Sequence, residues 1–189
     1  MNKYIYHFIF ICLASISCLC SCSEKEDVGL VAYCGSYAVE SVSWTGLPVD
    51  VNGDGVMSRD MLKELYGQPG FVPGWIGADV QLCADGKSLS YNCVVPAVVV
   101  IETAENKYYH TVQYHGIEII STWHPDWGTP SFTSGAYVSV LDDNMRGIEK
   151  ADLHDITETA FDLHVDCVLF DPVENKIVDG TAVFKFRKQ

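Results

Sequence analysis

Basic residues are scarce in this chain of 189 residues. It has 12 lysine and arginine residues against 25 aspartate and glutamate residues, a formal net charge of −13 at pH 7. Because negative charge repels phosphate groups, this balance argues against nucleic acid as a partner and against electrostatic binding to anionic lipid headgroups. The same balance is compatible with the binding of a cation.

Motifs of three common enzyme classes are missing as well. The chain has no nucleophile-elbow sequence, no glycine-rich loop that could cradle phosphates and no zinc-protease helix motif. The sequence therefore indicates no catalytic residues, and we expect a protein that is not an enzyme.

The N-terminus has the layout of a secretory signal. Lys3 supplies a positive charge, residues 4–17 are an almost unbroken apolar run, and small residues and cysteines follow. We predict an export signal over residues 1–21. An uncleaved membrane anchor is the alternative, but a transmembrane helix needs about 20 apolar residues, so this run is of marginal length.

The end of this signal, Leu19-Cys20-Ser21-Cys22, resembles a bacterial lipobox. The resemblance implies that Cys22 carries the lipid and that residues 22–30 form a lipidated tether to the membrane. The charged segment 23–27 resembles the acidic tether of Bacteroidetes-type surface lipoproteins. This second resemblance implies an outer-membrane lipoprotein, either exposed on the cell surface or facing the periplasm.

Residues 31–189 are predicted to form one folded domain made of β-strands. Val, Ile, Tyr and Phe alternate with polar residues in segments separated by turn residues, which is typical of strands. The candidate strands cover residues 37–44, 79–83, 88–93, 97–103, 108–115, 118–123, 136–141, 160–170 and 177–186. So many strands in a chain of this length predict a barrel or a sandwich.

The two ends of the domain resemble those of the lipocalin-like (calycin) barrels. Such barrels begin with a Gly-x-Trp strand and end with an arginine that covers the aromatic ring. Gly35-Ser36-Tyr37 and Arg187 occupy these places here, with tyrosine instead of tryptophan. The resemblance implies an all-β fold, an antiparallel barrel of about eight strands that takes up a small apolar molecule. A different β fold is the alternative.

A candidate calcium loop begins at Asp50. In residues 50–55 (Asp-Val-Asn-Gly-Asp-Gly), Asp50, Asn52 and Asp54 place oxygen atoms at alternating positions, where they can converge on one hard cation. The carbonyl of Val56 and the hydroxyl of Ser58 follow at ligand spacing. The segment resembles the first half of an EF-hand or dockerin-type loop, which implies bound calcium.

The second half of the loop departs from an EF-hand. Met61 occupies the twelfth position, where an EF-hand has a bidentate glutamate, so Asp60 or Glu64 would have to supply the missing carboxylate. Residues 58–67 are predicted to form a short helix with Ser58 as N-cap. The alternative is an Asx-rich turn that caps this helix and binds no metal.

Two tryptophans, Trp123 and Trp127, lie in a stiff loop with prolines and are candidate ligand-binding residues. Their rings could close a barrel mouth or stack on a sugar; the alternative is that they pack on the core. On the segment 160–170, Asp162, His164 and Asp166 share one strand face, which is either a metal site or a solvated sheet face.

After Cys22 the chain retains four cysteines, Cys34, Cys83, Cys93 and Cys167. They could form two disulfides or remain free thiols.

Taken together, the patterns predict a lipid-anchored binding protein that takes up a small apolar molecule and has a structural calcium loop. The alternative is a cell-surface adhesion or glycan-binding β-sandwich. A metal-dependent hydrolase built on His164 is the third hypothesis.

Overall fold

The structure, a computed structural model, describes residues 29–102, 108–124, 131–135, 137–138 and 145–189. The predicted signal, Cys22 and Trp127 lie outside these residues. So does most of the predicted strand 136–141.

The regular secondary structure of the described chain is almost entirely β. The strands are β1 (Gly35–Trp44), β2 (Gly77–Leu82), β3 (Ser88–Glu102), β4 (Tyr108–His124), β5 (Ser131–Ser134), β6 (Tyr137–Val138), β7 (Met145–Arg146), β8 (Ile148–His154), β9 (Ala160–Asp171) and β10 (Lys176–Lys188). One α-helix, α1 (Met61–Leu65), and two 3-10 helices, Leu30–Tyr33 and Pro73–Trp75, complete the described elements. In this part of the chain no helix is long and apolar enough to cross a bilayer.

All the strands belong to one antiparallel sheet. Their order is β5-β4-β3-β2-β1-β10-β9-β8-β6, and β7 pairs with β3. The eight longer strands form a nearly closed barrel. The prediction of an all-β fold, an antiparallel barrel of about eight strands with one short helix after the loop, is therefore confirmed.

The side chains of β9 show how the barrel is filled. Phe161, Leu163, Val165 and Cys167 are buried, whereas the alternate residues between them are only partly buried. This is the period of two that the sequence predicted, and it arises because successive side chains of a strand point to opposite faces. The same alternation on the neighbouring strands builds one continuous apolar core inside the barrel.

Two pairs of predicted strands are continuous in the structure. The segments 88–93 and 97–103 form the single strand β3, which passes through Pro96. Pro96 is tolerated because it lies opposite Tyr114 of β4, beyond the last residue that β3 pairs with β2, Val94; a proline is acceptable where a strand has no neighbour to receive its N–H. Likewise, the segments 108–115 and 118–123 form β4.

Strand β8 was not predicted from the sequence. Its inward residues are Ile148, Ala151 and Leu153, and a register shift separates the first from the other two. A bulge of this kind adds a residue and interrupts the alternation by which a strand is recognised.

The helix is shorter than the predicted segment 58–67. It begins after Asp60, whose carboxylate accepts a hydrogen bond from the backbone N–H of Lys63 at 3.2 Å. The prediction that Ser58 is the N-cap is thus wrong. Instead, the Ser58 hydroxyl accepts a hydrogen bond from the N–H of Asp60 at 3.0 Å and supports the residue that does cap the helix.

Candidate functional site

The barrel has two distinct ends. At one end β1 begins, β10 finishes and the described chain starts with the 3-10 helix Leu30–Tyr33. We call this the tether end, because the predicted tether precedes it. At the other, distal end, Trp44 closes β1 and leads into the loop of residues 45–60 that carries the predicted calcium ligands. The candidate functional residues fall into one group at each end.

At the distal end, Asp50 organises the loop. Its side chain is 2 % exposed. One carboxylate oxygen accepts a hydrogen bond from the N–H of Asp54 at 3.0 Å, and the other accepts one from the N–H of Gly55 at 2.7 Å. Gly55 has φ +83°, in the left-handed region that favours glycine. The chain therefore curls around the Asp50 carboxylate.

The next two predicted ligands point into the same curl. Asn52 Oδ1 accepts from the N–H of Asp54 at 2.9 Å, and Asp54 Oδ1 accepts from the N–H of Val56 at 2.8 Å. The base of the loop is closed by two backbone hydrogen bonds between Val49 and Ser58. The structure thus brings Asp50, Asn52 and Asp54 together, while the Ser58 hydroxyl is engaged by Asp60.

The two candidates for the missing carboxylate have different environments. Asp60 is exposed and caps the helix. Glu64 is 0 % exposed, and its Oε2 accepts from the N–H of Val51 at 2.9 Å, within the loop. Its Oε1 is buried and finds no hydrogen-bond partner among the described residues. Burial raises the pKa of Glu64, and the neighbouring Asp50 and Asp54 raise it further.

The described side chains of this loop do not form a complete metal site. In the described ranges, no three histidine, cysteine or carboxylate side chains are arranged to hold a metal ion. Calcium would therefore need Asn52 and a backbone carbonyl as further ligands, as EF-hand loops use. The orphaned Oε1 of Glu64 is a buried oxygen of the kind that such a cation takes, so the residues of the loop fit calcium.

At the tether end a cleft of about 330 Å³ opens to solvent. Its walls come from the first 3-10 helix, from β5 and from the end of β8 with the turn that follows. The lining residues are Tyr33, Phe132, Ser134, Leu153, His154, Asp155 and Ile156. The lining thus combines aromatic and aliphatic side chains with three polar ones.

Trp123 stands behind this cleft. Its indole ring lies 5.2 Å from the ring of Phe132, which in turn lies 5.2 Å from the ring of Tyr33. Trp123 is half-buried, and its Nε1 is buried without a hydrogen-bond partner in the described part of the chain. Of the two predicted ligand-binding tryptophans, Trp123 therefore supports the cleft wall, whereas Trp127 lies outside the described residues.

Below the cleft, aromatic rings fill the barrel. The ring of Phe161 lies 5.2 Å from Tyr37, 5.0 Å from Tyr91 and 5.0 Å from Phe186, measured between centroids. All four residues are buried. These rings occupy the interior of the barrel below the cleft.

Two buried hydroxyl groups near these rings were missed by the sequence reasoning. Tyr91 and Ser121 are 1 % and 0 % exposed, and neither hydroxyl has a partner among the residues described. Ser121 occupies an inward position of β4, between Ile119 and Trp123. The sequence does contain a signal for Ser121, because this serine interrupts a row of apolar residues at inward positions of the strand.

The row Asp162, His164 and Asp166 lies on the outer face of β9. Asp162 pairs with Lys185 at 3.0 Å, and Asp166 accepts from the Thr181 hydroxyl at 2.7 Å. The His164 ring stacks on His154, with 3.9 Å between centroids. Burial lowers the pKa of His164, and His154 lowers it further. This is the arrangement of a polar sheet face, in which cross-strand pairs satisfy the side chains.

The four cysteines described are free thiols. Burial raises the pKa of both Cys93 and Cys167 to about 12, so these two remain protonated at neutral pH.

The two residues that carry the lipocalin resemblance, Tyr37 and Arg187, lie on different sides of the barrel wall. Tyr37 points into the barrel and donates its hydroxyl hydrogen to the carbonyl of Tyr33 at 2.6 Å. Arg187 is exposed on the outside, where its Nε donates to the Glu40 carboxylate at 2.8 Å.

Comparison with known proteins found no relative from which a function could be transferred. No protein-family model matches the chain, and no curated protein or solved structure is significantly similar to it.

Proposed function

We propose that the protein is a lipid-anchored, non-enzymatic binding protein that holds a small molecule with an apolar part at the tether end. The observation that carries this proposal is the open cleft lined by Tyr33 and Phe132, with Trp123 packed behind Phe132. The cleft has aromatic and aliphatic residues in its walls, as small-molecule sites usually do, but more of its exposed lining is polar than apolar, so the ligand needs polar groups as well. The closely packed rings below it limit the ligand to the mouth of the barrel.

The unpartnered polar atoms behind the cleft favour a ligand that also forms hydrogen bonds. The hydroxyls of Tyr91 and Ser121 and the indole N–H of Trp123 are buried and lack partners among the described residues. Buried polar groups are nearly always hydrogen-bonded in folded proteins, to protein, to water or to a ligand. An amphipathic molecule, whose apolar part lies against the rings and whose polar end reaches inward, suits this combination.

The predicted lipid on Cys22 would hold the cleft near a membrane. Gly29, the first described residue, precedes the 3-10 helix that forms one wall of the cleft. A fully extended segment of seven residues, from Cys22 to Gly29, spans at most about 25 Å. A lipid-anchored chain would therefore turn its tether end toward the bilayer, which in our proposal is the outer membrane.

A structural calcium ion in the loop of residues 50–64 is the second part of the proposal. It would stabilise the distal end, on the opposite side of the barrel from the cleft. Its role would be to hold the loop and helix α1 against the barrel, and not to contact the ligand.

A short glycan is the second candidate ligand. Ser134, His154 and Asp155 line the cleft beside Tyr33 and Phe132. Aromatic faces beside hydrogen-bonding side chains are compatible with a sugar as well as with an amphipathic molecule. With a glycan as the ligand, the protein would have the alternative function, cell-surface adhesion or glycan binding.

Ligand titrations of the full-length chain, purified in detergent, test the proposal. We expect the apolar fluorescent dye 8-anilinonaphthalene-1-sulfonate, or a fluorescent fatty acid, to bind, and Phe132→Ala to weaken binding roughly tenfold or more, because a buried aromatic ring contributes about 1.5–3 kcal/mol. Tyr66→Ala is the matched control, since Tyr66 is 73 % exposed and lies at the other end.

The outcomes separate the two ligands. Binding of neutral oligosaccharides, but not of the apolar probes, would show that the cleft binds glycans and would support the alternative function. Equal binding of the probes by wild type and Phe132→Ala would refute the cleft as the binding site.

A further inference from the structure

We propose that Glu64 closes a calcium site in the loop of residues 50–58, in place of the glutamate that an EF-hand has at its twelfth position. The inference rests on the calcium loop of the proposed function and names the residue that completes it. Four residues earlier, Asp60 already serves as the helix N-cap and is exposed.

The burial of Glu64 is the main evidence. Its side chain is 0 % exposed, and its Oε2 accepts a hydrogen bond from the N–H of Val51. The N–H of Asn52 also lies near enough to the carboxylate to lower its pKa, although burial raises this pKa by more. Oε1 has no partner in the described part of the chain. A buried carboxylate is costly unless it is paired or bound to a metal, so an orphaned carboxylate oxygen at a loop of this kind points to a cation.

The nearby charges make a cation more favourable still. The charged groups that act on the Glu64 carboxyl are Asp50 and Asp54, which carry the same sign. Asp50 itself is 2 % exposed. Two buried acids and a third at the loop surface repel one another, and a divalent cation bound by Glu64 and the loop would offset this repulsion.

The geometry directs Glu64 to the first ligand positions of the loop. The Val51 N–H that Oε2 accepts lies between Asp50 and Asn52, so the carboxylate reaches back from helix α1 to the segment that carries both residues. The carboxylate oxygens of Asp50 each accept one backbone N–H and retain a further lone pair for a metal.

The ligand chemistry selects calcium among the common cations. The side-chain ligands proposed here are carboxylate and amide oxygens, which suit a hard cation and not copper or zinc, and the thioether of Met57 is exposed to solvent. The loop draws its donors from an irregular, glycine-containing segment and a separate helix. Ca²⁺ accepts such flexible, many-oxygen geometry, whereas Mg²⁺ demands near-ideal octahedral coordination.

Calorimetric titration with CaCl₂ tests the role of Glu64. The sample is the full-length chain in detergent, treated first with chelator to remove bound metal and then dialysed to remove the chelator. Wild type is expected to bind calcium, with a Kd up to the millimolar range of extracellular modules, and Glu64→Gln to bind about tenfold or more weakly. Asp60→Asn is the matched control, because asparagine also caps helices well and the calcium affinity should stay within about threefold.

Thermal unfolding separates a ligand from a merely structural residue. In chelator, Glu64→Gln should unfold at the same temperature as wild type or higher, because it removes a buried charge and keeps an acceptor for the Val51 N–H. In calcium it should gain less than wild type. A structural role alone would predict the same loss of stability with and without calcium.

Each failure has a distinct signature. If wild type shows no binding at millimolar calcium, the calcium loop itself is refuted. If wild type and Glu64→Gln bind equally well, only the assignment of Glu64 is overturned. If MgCl₂ binds as tightly as CaCl₂, the selectivity for calcium is refuted. Dye binding at the tether-end cleft is measured separately, so the binding function does not depend on these results.

Discussion

The two ends of the barrel are closed in different ways. At the tether end, large side chains contact one another: Phe161 lies among Tyr37, Tyr91 and Phe186, with ring centroids 5.0–5.2 Å apart. Such a cluster gains stability from the area that each ring buries. This cluster is therefore most easily destabilised by a substitution that removes one of its rings.

At the distal end, a single indole is enclosed by backbone. Trp44 is 2 % exposed, and an added Cβ would lie 2.5 Å from the indole at Gly46 and 2.4 Å from it at Gly180. The space for the ring exists because two glycines carry no side chain. The distal end is therefore most easily destabilised by a side chain added at one of these glycines. The comparison shows that the same barrel depends on large side chains at one end and on glycines without side chains at the other.

The largest expected effect is at the tether end. Phe161→Ala should lower the free energy of unfolding by about 3–5 kcal/mol, because it removes a buried ring and leaves a cavity among its three ring neighbours. Urea or guanidinium denaturation measures this loss. Tyr66→Ala, at a side chain 73 % exposed, should change stability by less than about 0.5 kcal/mol. A similar small change for both variants would contradict the account of the tether end.

The next effect tests the distal end. Gly180→Ala should cost about 1–3 kcal/mol, since the new methyl group collides with the Trp44 ring. Gly116→Ala is the control within a strand, because an added Cβ there meets no atom within 4 Å. In the background of Trp44→Phe, whose ring is smaller, Gly180→Ala should cost less than it does alone. Strictly additive losses would show that the indole is not the obstacle.

A smaller effect is expected from the helix that carries Glu64. Asp60→Ala should lower stability by about 1 kcal/mol, because the N–H of Lys63 loses its acceptor, whereas Asp60→Asn should be nearly neutral. Thermal unfolding in excess chelator isolates this capping effect from calcium. Equal losses for the alanine and asparagine variants would indicate that the charge of Asp60, and not its hydrogen bond, matters.

The smallest effect is a pH dependence on the outer face near the tether end. Because burial and the stacked His154 lower the pKa of His164 in the folded state, the unfolded chain binds the proton more readily. The stability that depends on neutral His164 is thus complete above pH about 6.5 and is lost as the pH falls through and below this value. Denaturation between pH 7.5 and 5.5 should show a shallower decline for His164→Gln than for wild type. A decline of the same slope in both would rule out His164 as its source.

Local patterns were sufficient for the strands whose alternation is regular. Residues 160–170 were predicted to form a strand and lie in β9, and the residues that alternate with Asp162, His164 and Asp166 are buried. They were not sufficient where a bulge or a proline interrupts the pattern, as in β8 and at Pro96 of β3. In β8 the pairing with β9 supplies hydrogen bonds that the local pattern does not indicate, and at Pro96 the strand continues because β2 no longer pairs with β3 there.

The candidate sites divide in the same way. The spacing of Asp50, Asn52 and Asp54 indicated an oxygen-rich loop without any structure, because neighbouring residues of a tight loop necessarily lie close together. The choice between Asp60 and Glu64 could not be made from spacing, since both follow the loop at distances along the chain that a short helix can bridge. The burial of Glu64 and the exposure of Asp60, which only the structure shows, are the basis of our proposal that Glu64 is the ligand.

The sequence by itself determined the acidic balance of the protein, its alternating strands and the spacing of the oxygen-bearing side chains in its loop, because each of these depends on composition or on near neighbours. Only the tertiary structure decided which strands pair, which carboxylate is buried and where a cleft opens. Tyr33 and Phe132 are almost a hundred residues apart in the chain, yet their rings are in contact. The cleft that they line arises from packing of distant segments, which no local pattern encodes.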